Sequence, residues 1–192
     1  MFSQKCAYCE KTVEDTYHPV EHFRPQSVYP RLAYEWTNLL LACDVCNSGY
    51  KRQQFPLIGG CKSAEDTNNP CSRDDTDANA LIDPCNEDPA DFFAFNDEWI
   101  TCRNQRAKVT RDICGLNREG LKDRRKLWLP NVELAALAFL SADRCRAPEL
   151  RRKSAEHLNR LISPSSPFSA MARAKIVSMG IDMKEVLALI SG

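Results

Sequence analysis

The chain has 192 residues, 43% of them hydrophobic, and its 26 basic and 26 acidic side chains cancel. This length suits one domain, or one with an appendage, and is large enough for a real core. No apolar run approaches a membrane span, and overall neutrality argues against a nucleic-acid binder that works by bulk charge alone.

Residues 1 to 57 hold the motif chemistry. Met1 to Lys5 is polar and lacks the apolar stretch of an export signal. A reducing cytoplasm is therefore the expected setting, where thiols favour metal over disulfide. Two Cys-x-x-Cys pairs follow, CAYC with Cys6 and Cys9, and CDVC with Cys43 and Cys46. Each such turn presents two sulfurs on the same side, so the four can converge on one tetrahedral zinc about 2.3 Å from each sulfur. The 33 residues between the pairs become a loop closed by the metal.

Inside that loop YHPVEHF is expected to be extended, because Pro19 and Pro25 oppose a helix. It carries Glu21, His22 and Arg24. Asp44 to Arg52 is expected to form a short helix with Asn47 and Lys51, four apart, on one face. Phosphodiester hydrolysis needs an activated water, a cation for the charge growing on the phosphate, and fixed geometry between them. His22 suits the general base, since imidazole titrates near neutrality. Glu21 and Asn47 offer oxygen ligands, which favour a hard ion such as Mg2+ or Mn2+ over zinc. Arg24 and Lys51 are candidates for phosphate contact. Zinc itself is a poor catalyst here, because four thiolates leave it no open position.

Each of these residues also has a plainer role open to it. A single histidine is more often surface or hydrogen-bonded than catalytic, Asn47 could merely cap its helix, and Asn38 could be a turn residue. His18 is assigned a structural role and His157 an exposed one. The rival function is a zinc-scaffolded binding module that docks on DNA or on a partner protein without cutting.

Residues 58 to 98 are expected to be an acidic loop or insertion packing back on the core through LIDP and FFAF. Residues 65 to 98 carry 11 acids against Arg73 alone, while residues 103 to 126 carry nine bases against three acids. This segregation could set a basic surface against a phosphate backbone, or it could be two solvated faces. Cys61, Cys71, Cys85, Cys102, Cys114 and Cys145 form no further Cys-x-x-Cys and are expected to be free thiols, with a second metal site on Cys61, Cys71 and Cys85 only weakly supported.

Residues 99 to 192 are expected to be helical. Asn117 is placed to cap a helix ending before Pro130, and Asn131 to cap the next. Pro148 opens a third, with Leu150, Ala155, Leu158 and Leu161 as its apolar stripe. Residues 168 to 178 and 181 to 190 suggest two more. The expected architecture is therefore α+β, a motif-bearing core at 1 to 57 followed by a small helical bundle.

Residues 6 to 57 resemble the HNH endonuclease family: CAYC, EHFRP, Asn38 in TNLLLAC, and CDVCN ending at Asn47. The resemblance implies a ββα-metal fold with a structural zinc held by four cysteines, His22 as general base, Glu21 and Asn47 on the catalytic ion, and Asn38 holding the histidine loop by hydrogen bonding. The chain departs from the pattern at Glu21, where Asp is usual, and in placing three residues rather than two between Asn47 and Lys51. A narrower resemblance, over about residues 6 to 121, is to the PtuB-type nuclease subunits of Septu antiphage systems, carried by CAYCE, VEHFRPQS, YEWTNLLLACDVCN, KRQQFPL, LIDPCNEDPADFFAF and GLNREGL. It implies a DNA substrate and an ABC or SMC-like ATPase partner of the PtuA type. Related subunits also occur beside retrons, which adds a reverse-transcriptase complex to the implied partners.

Overall fold

The computed structural model describes residues 2–13, 20–58 and 79–191. His18, Cys61, Cys71 and the acidic residues from 65 to 77 lie outside them. The chain divides into two compact units, Phe2–Phe93 with Cys102–Asn117, and Ala94–Thr101 with Arg118–Gly192. The first unit therefore takes in 79 to 93 and 102 to 117 in addition to the expected 1 to 57.

In the first unit the two Cys-x-x-Cys segments fold around a minimal sheet. Strands β1 (Glu21–His22) and β2 (Leu39–Leu40) pair antiparallel, with Glu21 opposite Leu40 and His22 opposite Leu39. Between them two short 3-10 turns, Pro30–Leu32 and Trp36–Asn38, fold the connection back on itself. After Cys43 a wide helix runs over Val45–Lys51, closed at its end by the Arg52 amide on the Asn47 carbonyl at 2.7 Å. Its bonds span five residues rather than four, and this widened turn accommodates the extra residue between Asn47 and Lys51.

Phe23, Leu40 and Leu81 form the centre of this unit's core, with Phe55, Val109 and Ile113 packed around them. Helix α1 (Gln105–Ile113) is capped by Asn104, whose side chain accepts from the Ala107 amide. It also holds the LIDP segment. The Thr110 hydroxyl accepts from the Ile82 amide at 2.9 Å, and Arg106 grips Glu87 with two bonds of 2.6 and 2.7 Å while reaching the Leu81 carbonyl at 2.8 Å. LIDP thus packs on the core, as its apolar residues suggest. FFAF instead enters β3 (Phe93–Asn96), which pairs with β4 (Trp99–Cys102) as a hairpin.

The second unit is built on α2 (Glu119–Arg144), α3 (Pro148–Leu161), α4 (Ser169–Ser178) and α5 (Met183–Ser191). Val132, Ala135, Ala136 and Phe139, at helical spacing on α2, meet Ala155, Leu158 and Leu161 of α3 and Ala172 and Ile176 of α4. Leu150 stays outside this stripe, 49% exposed. His157 is exposed as expected. No described helix is long and apolar enough to cross a membrane.

Pro130 does not end a helix, and Asn117 does not cap one. Helix α2 runs through Pro130 without interruption, from an N-cap at Arg118. Pro130 removes one backbone donor, but it faces solvent while Leu129 and Val132 beside it are buried, so packing along the inner face carries the helix past it. The basic run of 103 to 126 does not act as a block of free charge. It is divided between the two units, and Arg106, Arg111, Lys122 and Arg125 are engaged internally, Arg125 being 2% exposed with its guanidinium on the Glu98 carbonyl.

Because Pro130 is exposed and only costs α2 a hydrogen bond, Pro130→Ala should stabilise the protein by about 1–3 kcal/mol. Urea unfolding followed by far-UV circular dichroism measures this; a lower midpoint would mean that the proline shapes the bundle.

Candidate active site and metal centre

Cys6, Cys9, Cys43 and Cys46 are all buried, and their sulfurs lie within 4.8 Å of one another. A tetrahedron with arms of about 2.3 Å has edges of about 3.8 Å. The Cys9 and Cys43 sulfurs are 3.9 Å apart, which fits such an edge and is far beyond a disulfide bond of about 2.05 Å. None of the four forms a disulfide. The donor set and spacing are those of a closed structural zinc site. The thiols also perturb one another strongly: their mutual hydrogen bonding holds Cys43 far below the ordinary thiol range and pushes Cys46 far above it. Cys85, Cys102, Cys114 and Cys145 are likewise thiols outside any disulfide, and among the described residues only the first four cysteines make a metal-holding cluster.

The cluster positions three segments. The first turn joins β2 through the Ala7 amide on the Leu41 carbonyl at 2.8 Å, and Cys46 begins the wide helix. Asn47, the next residue, thereby reaches back to the residue before β1, its Nδ2 lying 3.5 Å from the Val20 carbonyl. The expected convergence of Asn47 with the Glu21 and His22 strand is present in the structure.

Glu21 is 1% exposed, and its Oε1 accepts from the Tyr8 hydroxyl at 2.9 Å and meets the Lys51 ammonium at 2.7 Å. Lys51 is itself fully buried and donates to the His22 carbonyl at 3.0 Å. As placed, Lys51 has none of the solvent exposure that phosphate contact requires; its charge is turned inward on Glu21. Burial raises the Glu21 carboxyl above its ordinary range, against the opposing pull of Lys51 and the Tyr8 hydrogen bond. Burial and then the Glu21 carboxylate push the Tyr8 hydroxyl well above its own range, so Tyr8 stays protonated and donates.

His22 is partly buried, with Nε2 3.0 Å from the Ala33 carbonyl. A carbonyl only accepts, so this bond requires the proton on Nε2 and leaves Nδ1 as the imidazole's lone-pair nitrogen. The loop that supplies Ala33 is held by Asn38, which is 2% exposed. Its Oδ1 accepts from the Arg24 amide at 2.8 Å, and its Nδ2 donates to the carbonyls of Arg24 at 3.0 Å and Leu32 at 3.2 Å. The Arg24 guanidinium lies over the Phe23 and Phe55 rings at 5.7 and 5.4 Å. Tyr8 was not singled out by the sequence, and its only signal was an aromatic residue inside a turn whose two cysteines must both point inward.

Residues 6–53 match the family model described as HNH endonuclease. The matched span holds both cysteine pairs together with Glu21, His22, Asn38 and Asn47. The chain is also 29% identical to the Septu protein PtuB of Bacillus mycoides (strain KBAB4) over 157 residues, covering 73% of this chain and 52% of that protein. The Septu protein PtuB of Bacillus thuringiensis is 29% identical over 119 residues, covering 61% of this chain and 38% of that protein. The chain thus spans about half or less of the length of the curated relatives it matches. No solved structure matches it.

The Glu21–Lys51 pair gives a direct test of the buried site. Replacing either partner alone, by Glu21→Gln or Lys51→Met, leaves the other without its partner in the interior and should cost about 3–5 kcal/mol. The double variant should cost clearly less than the sum in urea unfolding of the zinc-loaded protein. Additive losses would show that the two groups are not coupled.

Proposed function

We propose that this chain is a divalent-metal-dependent DNA endonuclease, acting in the bacterial cytoplasm as the nuclease subunit of an antiphage complex with an ABC or SMC-like ATPase. The observation that carries the reading is the His22 bond to the Ala33 carbonyl, which engages Nε2 and leaves Nδ1 as the nitrogen that can take a proton. The names of the two relatives support the defence role, and the HNH match supports the chemistry.

In this reading the four cysteines hold a structural zinc, while Glu21 and Asn47 hold the catalytic Mg2+ or Mn2+. Since Tyr8 and Lys51 occupy Oε1 of Glu21, Oε2 is the oxygen assigned to the ion. The ion supplies charge neutralisation at the phosphate and the departing oxygen. His22 takes a proton from water at Nδ1 as the water oxygen attacks phosphorus and the P–O bond to the leaving oxygen breaks. The Ala33 carbonyl stabilises the imidazolium through Nε2, and Asn38 keeps that carbonyl in place. Lys51 acts as the counter-charge that holds Glu21 ionised, and Arg24 remains the candidate for phosphate contact.

His22→Ala should lower plasmid cleavage, assayed with Mg2+ or Mn2+ and the partner ATPase, by at least about 10²-fold with zinc content unchanged. Equal cleavage by parent and variant would remove His22 from the mechanism and favour a non-cleaving module. Mass spectrometry should find about one zinc per chain in the parent, and Cys43→Ser should lose both that zinc and cleavage. A zinc-free Cys43→Ser protein that still cuts would overturn the clamp.

A further inference from the structure

Two large aromatic rings project from the loop that positions His22. Tyr34 is 95% exposed and Trp36 is 75% exposed, unusual for tryptophan, which is mostly buried in folded proteins. Tyr34 directly follows Ala33, the residue whose carbonyl holds His22 Nε2, so its Cα is about 3.8 Å from that of Ala33. Among the described residues neither ring engages another side chain.

The backbone beneath the rings is firmly held. The Ala33 amide bonds the Pro30 carbonyl at 3.2 Å, the Glu35 amide the Leu32 carbonyl at 3.2 Å, and the Asn38 amide the Glu35 carbonyl at 2.9 Å. Asn38 ties the same loop through Leu32, and Ala33 and Asn38 are buried. The rings are therefore presented on a rigid platform, which reduces the ordering cost of binding anything to them.

Their surroundings indicate the occupant. Arg31, Glu35 and Thr37 are all exposed, so along this loop the rings alternate with polar side chains instead of forming the apolar run that the core of a protein interface favours. Exposed aromatic rings two residues apart, in a loop that also exposes Arg31, suit the planar face of a nucleobase, which stacks on such rings whatever its sequence. In a duplex those faces are already covered by neighbouring base pairs. We propose that Tyr34 and Trp36 form a base-stacking site that selects single-stranded or locally unpaired nucleic acid and sets an unstacked nucleotide beside His22. The inference rests on the nuclease reading of the same site and specifies its substrate class.

The test uses the full zinc-loaded chain carrying His22→Ala, so that binding is read apart from cleavage. Its probes are an oligothymidylate, an abasic oligomer of the same length, and a blunt duplex. The oligothymidylate should bind more tightly than either of the others. Tyr34→Ala and Trp36→Ala should each weaken it about tenfold or more, with zinc content unchanged and affinity for the abasic oligomer unaltered. Tryptophan fluorescence should be quenched by the oligothymidylate, and Trp36→Phe should abolish the quenching while Trp99 and Trp128 remain. Equal affinity for the thymidylate and abasic oligomers, no quenching of Trp36, or variants that keep oligonucleotide affinity while losing the partner ATPase would each overturn the stacking site. Cleavage unaffected by His22→Ala would instead defeat the nuclease reading, and would leave this binding result standing on its own.

Discussion

Four sulfurs drawn together in a buried cluster hold one end of the first turn, the far end of β2 and the beginning of the wide helix at a single point. A sheet of two-residue strands has almost no stability of its own. The cluster does for this unit what a larger apolar core does elsewhere: it fixes the ends of a long loop and lowers the entropy of closing it. Asn47 reaches the residue before β1 only because Cys46 is fixed, and the position of Lys51 depends in turn on the helix that starts there.

Inside the clamp, one layer of polar contacts decides what each functional side chain can do. Lys51 joins Glu21 to the His22 backbone, and Tyr8 completes the shell around Glu21. Asn38 links the strand after His22 to the loop before Ala33, so the carbonyl that selects the imidazole tautomer does not wander. Most of these contacts join a side chain to a backbone group and the others join Glu21 to Lys51 and Tyr8, and such bonds are costly to lose because each orphaned partner stays out of water. The same loop that is pinned from within exposes Tyr34 and Trp36 outward, so rigidity at the base and recognition at the surface are two sides of one segment.

The second unit obeys a different rule. Its stability comes from helical faces of alanine, leucine and phenylalanine, and that pattern is visible in the sequence from 132 to 186. Periodicity located α3, α4 and α5 to within a few residues of where they stand. It failed at Pro130, because a proline reports a lost donor locally while burial on the opposite face of the helix is a property of the assembled bundle. The basic run of 103 to 126 is a similar case: counting charges along the chain cannot tell a solvated arginine from Arg125, which is buried on the Glu98 carbonyl.

The sequence by itself located the four-cysteine cluster and the residues proposed for the chemistry. Two thiol pairs at short spacing suit one tetrahedral metal, and histidine, carboxylate and amide side chains within one loop suit the hydrolysis proposed for them. Only the tertiary structure decided how those groups are engaged. It turned Lys51 inward to Glu21, brought in Tyr8, put the Nε2 proton of His22 on Ala33, and left two aromatic rings in solvent. The physical reason is that residue type and spacing set what a side chain can bond, whereas burial and the direction it faces depend on neighbours distant in the chain.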